Sequence, residues 1–178
     1  NHPRQNHRHG IVHCQITRPD QLRKIPELGL HVYAQSIFLD YDIHIVKERA
    51  GTELAATSYS WKTLKDFGAT VSNGSDCPVE LPDVLAGIQC AVTRTDLTGS
   101  VPAYLEQEAF TVQEALDSFT ASGAYASFDE CNKGKIVPGM LADFVVLSRS
   151  PFDTEPAQIR NISIEKTCLA GRLVFQKS

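Results

Sequence analysis

GATVSNGSDCPVE, residues 68–80, is the stretch on which the reading of the fold turns. Ala69 to Ser72 is a short apolar, β-branched run with Gly68 before it and Asn73-Gly74 after it, a pattern that predicts a buried strand. Ser75 and Asp76 stand at the exit of that strand, and Pro78 biases Cys77 toward extended backbone, which postpones the next helix. The reading therefore puts one carboxylate at the carboxyl end of a strand, beside small residues that leave room for a ligand. In parallel α/β folds that end of the sheet carries the chemistry. Taken alone, the stretch also fits, and more simply, an Asp in an ordinary strand-to-helix turn.

Upstream, NHPRQNHRHG is polar and ends in glycine, which reads as a loop; GIVHCQIT, Gly10 to Thr17, reads as the first strand. Pro19 and Asp20 open a helix through Leu28, closed by Gly29. Leu30 to Leu39, rich in β-branched and aromatic residues, predicts the second strand. Ile43, Val46 and Ala50 suit a short helix ended by Gly51, and Ser60 is placed to cap a helix whose apolar face is Trp61, Leu64 and Phe67.

Downstream, Leu81 to Arg94 predicts a helix with a buried stripe of Val84, Leu85, Ile88, Ala91 and Val92. Residues 95–110 have no period, and long loops of this kind are often functional lids. Thr111 with Glu114 spells a capping box, and Gly123 predicts a break into two short helices. The tail then changes character: a turn at Pro138-Gly139, a strand from Asp143 to Leu147, and two strands joined at Ala170-Gly171.

Three successive strand–helix units imply parallel strands with right-handed crossovers, in an open doubly wound sheet or in part of a barrel. A complete α/β barrel needs about 250 residues, so 178 residues with a β tail are too few for one. The chain starts at Asn and shows no signal peptide, and it reads as cut from a longer one, with an export signal further upstream left open.

Composition narrows the function classes. Apolar residues make up 42% and charged residues 21%, which suits a packed core. A net charge of −4 with no basic block argues against binding nucleic acid through phosphate contacts. No long uncharged apolar run predicts a membrane span. Cys14, Cys77, Cys90, Cys131 and Cys168 are scattered with no CxxC spacing, and read as reduced thiols of a cytoplasmic protein. An open-sheet nucleotide binder would need a Gly-rich phosphate loop after a strand, and the sequence has none.

The order of the motifs resembles a known family. HGIVHCQIT at 9–17, SYSWKTLKDFGATVSNGSDCPVE at 58–80, AVTR at 91–94, TVQEAL at 111–116 and KGKIVPGMLADFVVL at 133–147 look like the C-terminal part of amidohydrolase family 3. This is the branch of N-substituted formamide deformylase-like enzymes, and some relatives carry the label exoenzyme regulatory protein. The resemblance implies an α/β fold: about three parallel βα units of a metal-dependent (β/α)8 barrel over residues 1–132, then strands of a small β-sandwich over residues 133–178. It further implies that His13 matches a metal-ligand histidine at the end of the sixth barrel strand and that Asp76 matches an aspartate, ligand and catalytic base, at the end of the eighth. The strand containing Gln35 would be the seventh. Gln35 and Arg94, with residues 95–110, are candidates for lining the substrate pocket.

The sequence also departs from the family pattern. Many relatives read H-R-I-E-H where this chain has His9-Gly10-Ile11-Val12-His13, and Gln-Pro where it has Gln35-Ser36. The family's paired HxH ligands have no counterpart on a buried strand; His7-x-His9 has the spelling but follows a polar loop, and reads as coincidence. His2, His31 and His44 read as surface or packing residues. Imidazole and carboxylate suit a catalytic Zn²⁺, which lowers the pKa of a bound water to about 7. One His and one Asp are too few, since such sites use at least three protein ligands. The expectation is a fragment of a zinc hydrolase acting on small-molecule amides, inactive alone and prone to self-association through unpaired strand edges. The alternative is a non-catalytic regulatory or interaction protein on the same scaffold.

Overall fold

A computed structural model describes residues 4–178, so His2 lies outside the described residues. The first part of the chain builds a three-stranded parallel sheet from β1 (Gly10–Val12), β2 (His31–Ala34) and β3 (Val71–Asn73), in the order β1-β2-β3. Gly10 pairs with His31, Val12 with Tyr33, Tyr33 with Ser72 and Ala34 with Asn73. Only glycine permits the start of β1, because a Cβ on Gly10 would collide with the His31 carbonyl oxygen and the Tyr33 ring. Helix α1 (Pro19–Glu27) links β1 to β2; α2 (Leu39–Asp42), α3 (Val46–Ala55) and α4 (Trp61–Asp66) link β2 to β3. Then come α5 (Val84–Thr93), α6 (Val112–Phe119) and α7 (Ala121–Ala126).

Several elements differ in extent from the sequence reading. β1 is three residues long because His13 and Cys14 both take left-handed backbone, φ 66° and 47°, which ends the strand. β2 stops at Ala34, and Ser36–Phe38 is a 3₁₀ turn. The cause lies elsewhere in the chain: Asn73 Oδ1 accepts from the Ser36 N–H and from the Ser36 hydroxyl, both at 2.8 Å. Gly51, with φ 79° and ψ 162°, is not helical and ends one helical segment within α3, as the glycine predicts, and a second segment follows it directly. α5 starts at Val84 because Pro82 precedes it and Asp83 caps it, accepting from Ala86 N–H at 3.0 Å. Val84 is exposed while Leu85 through Ala91 are buried all round. The break between α6 and α7 falls at Thr120, not Gly123, which sits inside α7. The Thr111–Glu114 capping box forms as read.

The tail is a second sheet, antiparallel, in the order β4 (Phe144–Leu147), β5 (Ile164–Leu169), β6 (Arg172–Gln176). Ala170 and Gly171 close the β5–β6 hairpin with φ 48° and 76°, the paired positive values of a two-residue turn. Val32, Ala34 and Val71 of the parallel sheet pack with Trp61, Leu64, Leu85 and Ile88 in the core. Ile159 and Ile162, just before β5, are buried in that same core. The five cysteines are free thiols. Among the described residues no helix is long and apolar enough to cross a membrane.

Candidate functional site

The carboxyl edge of the parallel sheet gathers His13 just after β1, Gln35 just after β2 and Asp76 three residues after β3. The strands are parallel, so His13 and Asp76 do finish at the same edge, but β2 stands between their strands. The backbone here is strained. His13, Cys14 and Asp76 all have positive φ, which costs an L-residue on the order of 1 kcal/mol or more each. The surroundings hold them there. His13 N–H donates to Tyr33 O at 2.8 Å, Cys14 N–H to Val12 O at 2.8 Å, and Val79 N–H to Asp76 O at 2.8 Å. The indole Nε1–H of buried Trp61 donates to the His13 carbonyl at 3.0 Å.

The His13 ring is half-buried and its centroid lies 5.7 Å from that of Phe38. Its Nδ1 is 2.7 Å from Gln35 Oε1. An amide oxygen only accepts, so Nδ1 donates to it, and in the neutral form of the ring the lone pair is then on Nε2. Gln35 is 6% exposed and offers a ligand little surface of its own. Asp76 is exposed at the same edge. The neighbouring Cys14 is buried, which pushes its thiol up to about 11 and keeps it protonated near neutral pH.

Arg94 does not lie on that rim as a ligand-facing side chain. It is 1% exposed, caps the end of α5 in left-handed backbone, and donates to Tyr104 O at 2.9 Å and Tyr59 O at 3.2 Å. Burial lowers its guanidinium to about 10, against the pull of Glu108. Within residues 95–110 two buried acids tie the segment to the body, while Thr98 to Ser100, Pro102, Ala103, Glu106 and Gln107 stay exposed. Asp96, bonded first by the Ser100 hydroxyl and facing His44 at 3.1 Å, is held down at about 2. Glu108 is buried and accepts from Thr63 N–H at 2.9 Å, capping α4 from 45 residues away. Ser60, read as that cap, instead donates its hydroxyl to Thr57 O at 3.0 Å.

The other histidines stand apart from this edge. His7 and His9 precede β1, at the amino end of the sheet, with ring centroids 4.8 Å apart. His31 is buried at the amino end of β2, its Nε2 2.8 Å from Ser72 Oγ and its ring 4.4 Å from Tyr33. Burial, then the nearby Arg8 cation, push His31 down to about 4. Among the described residues no group of three or more His, Cys, Asp or Glu is placed to hold a metal ion. Sequence reasoning overlooked Trp61, Asn73 and Glu108 as supports of this edge. Only Asn73 carried a local signal, its place at a strand exit.

The sequence model of the amidohydrolase family matches residues 1–175. A protein named as an amidohydrolase, YtcJ of Bacillus subtilis, is 36% identical over 179 residues, covering 99% of this chain and 34% of its own length. The N-substituted formamide deformylase of Arthrobacter pascens is 31% identical over 170 residues, covering 94% of this chain and 31% of its own length. The crystal structure of an uncharacterized metal-dependent hydrolase from Pyrococcus horikoshii superposes with a TM-score of 0.75 at 28% identity, over 85% of this chain and 31% of that one. The chain thus spans about a third of the length of these relatives.

Proposed function

The chain belongs to the amidohydrolase family, and from that premise we propose that it is the C-terminal portion of a metal-dependent hydrolase of non-peptide C–N bonds, of the amide or formamide type. Residues 1–132 would supply three βα units of a barrel, and residues 133–178 the strands of a small sandwich. The observation that carries this reading is an imidazole whose Nδ1 is engaged by Gln35, and a carboxylate, at one edge of a parallel sheet.

His13 and Asp76 fit two positions of a divalent metal site. They do not complete it, because a catalytic zinc takes three or more protein ligands. The remaining ligands would come from parts of the longer polypeptide that relatives of about threefold length contain. A zinc bound there would supply an acidified water and polarisation of the amide carbonyl. Asp76, reachable from solvent, would take the proton of the attacking water and return it to the leaving amine as the C–N bond breaks. His13 would hold the metal through Nε2 and move no proton, since Gln35 keeps Nδ1–H engaged.

The test is metal analysis and amide hydrolysis on this polypeptide beside the longer one. The short chain is expected to bind less than stoichiometric zinc and turn over nothing. In the longer chain His13→Ala should lose metal, and Asp76→Asn should lose activity by about 10²-fold or more. Stoichiometric zinc with turnover on the short chain would sink the claim of inactivity. A longer chain that holds no metal and hydrolyses no amide would favour a regulatory or interaction protein on this scaffold.

A further inference from the structure

We infer that Gln35 is a positioning residue: it fixes the tautomer and ring orientation of His13, and Trp61 fixes the backbone turn that carries the ring. The inference rests on His13 being a metal ligand only for its consequence, not for its geometry. Three observations meet here. Gln35 is buried, and its Oε1 lies 2.7 Å from His13 Nδ1. His13 and the next residue are both left-handed, a conformation that persists only where contacts over-determine it. One of those contacts is the Trp61 indole N–H on the His13 carbonyl, from 48 residues away.

Each contact has a distinct task. Without an acceptor at Nδ1, a neutral imidazole in water favours the other tautomer and its ring turns freely about χ1 and χ2. With Gln35 in place, Nδ1 carries the proton and Nε2 is the one basic nitrogen. Metal-binding histidines are commonly oriented by such a second partner, and losing it costs 10- to 100-fold in metal affinity. A carboxamide does this without adding negative charge, unlike a carboxylate partner. Gln35 is held in its own place by the turn that follows it, which Asn73 clamps at Ser36. The strand ends therefore support one another: β3 through Asn73 sets the turn after β2, and the turn after β2 sets the ring after β1.

The experiment reads the tautomer directly. Long-range ¹H–¹⁵N spectra of this chain at pH 8, where imidazole is neutral, should show His13 with a protonated Nδ1 and an unprotonated Nε2. Gln35→Leu should lose that preference, and Gln35→Glu, which keeps an acceptor, should retain it. The chain has one tryptophan, so its single indole N–H resonance reports whether the turn at His13 survives in each variant. Should Gln35→Leu unfold, seen as loss of that resonance's native position, the wild-type and Gln35→Glu spectra decide alone. A wild-type proton on Nε2, or an unchanged tautomer in a folded Gln35→Leu, overturns the inference. In the longer polypeptide Gln35→Leu should weaken zinc binding 10- to 100-fold by chelator competition, with Gln35→Glu near wild type. If His13→Ala leaves metal binding untouched there, the metal-site reading fails while the tautomer result in the short chain still stands.

Discussion

Strands β2 and β3 of the parallel sheet and the strands of the antiparallel tail are built from similar apolar, β-branched residues, yet they are buried very differently; β1, at the edge of the parallel sheet, is exposed like the tail. Val32 and Ala34 in β2 are fully buried and Val71 in β3 nearly so. In β6 every residue is exposed, with Leu173, Val174 and Phe175 each about half accessible. The difference follows from topology. Parallel strands need crossover connections, and those bring helices that cover a sheet face. A hairpin closed by Ala170-Gly171 brings nothing with it. The tail is tied to the body through Ile159 and Ile162, which lie in the common core. Its apolar sheet stays open, and open faces and edges of this kind favour association. We propose that other parts of the longer polypeptide cover it, and that copies of this chain cover one another when those parts are missing.

Substitutions can break or sharpen this contrast. Trp61→Ala should cost about 3–5 kcal/mol, typical for a fully buried indole, and should lower the urea midpoint steeply. A second effect is confined to the parallel half and depends on pH. Buried His31 titrates at about 4, below its ordinary value near 6.5, so the unfolded chain takes up the proton first as pH falls. Stability should be fully present above pH 6.5 and decline by up to tenfold in the folding constant per unit between about 6.5 and 4. His31→Gln should flatten that window in urea titrations. Below pH 4 a further decline should follow as Asp96 and Glu114 protonate, both held at about 2 in the fold. Burial works against ionised Glu114, but Thr111 N–H, Lys65 and Lys62 outweigh it. Thr111→Ala, which removes the capping box of α6, should cost about 1 kcal/mol. Smallest is Phe175→Ala, expected to cost under about 1 kcal/mol in dilute solution because the ring is half exposed. Its cost should rise with protein concentration if copies associate through the tail, and Leu173→Lys should then lower the mass seen by light scattering. A clean monomer at high concentration, with Phe175→Ala as costly as Trp61→Ala, would erase the contrast.

Much of this architecture was legible residue by residue. The α6 cap was readable because its two partners sit three residues apart and need only one turn of helix. The tail hairpin was readable because a two-residue turn with positive φ accepts few sequences. The carboxyl edge was readable as a place through Asp76 at a strand exit, whereas His13, read inside a strand, was assigned to it only by the family resemblance. The cap on α4 was not, since Ser60 has the right spelling and Glu108, 45 residues on, makes the bond to Thr63. The extents of β1 and β2 were also misjudged, for apolar runs continue past the points where His13 and Asn73 redirect the chain.

From the order of residues alone came the parallel units, the antiparallel tail and the edge at which chemistry is expected, because alternation, turn sterics and helix caps act over a few neighbours. Folding in three dimensions decided what each polar side chain at that edge does. Gln35 turns its oxygen to a ring 22 positions earlier, and Arg94 is sealed beneath Tyr59 and Tyr104 instead of facing a ligand. The reason is physical: a side-chain hydrogen bond depends on which distant groups packing brings within about 3 Å, and no local pattern encodes that distance.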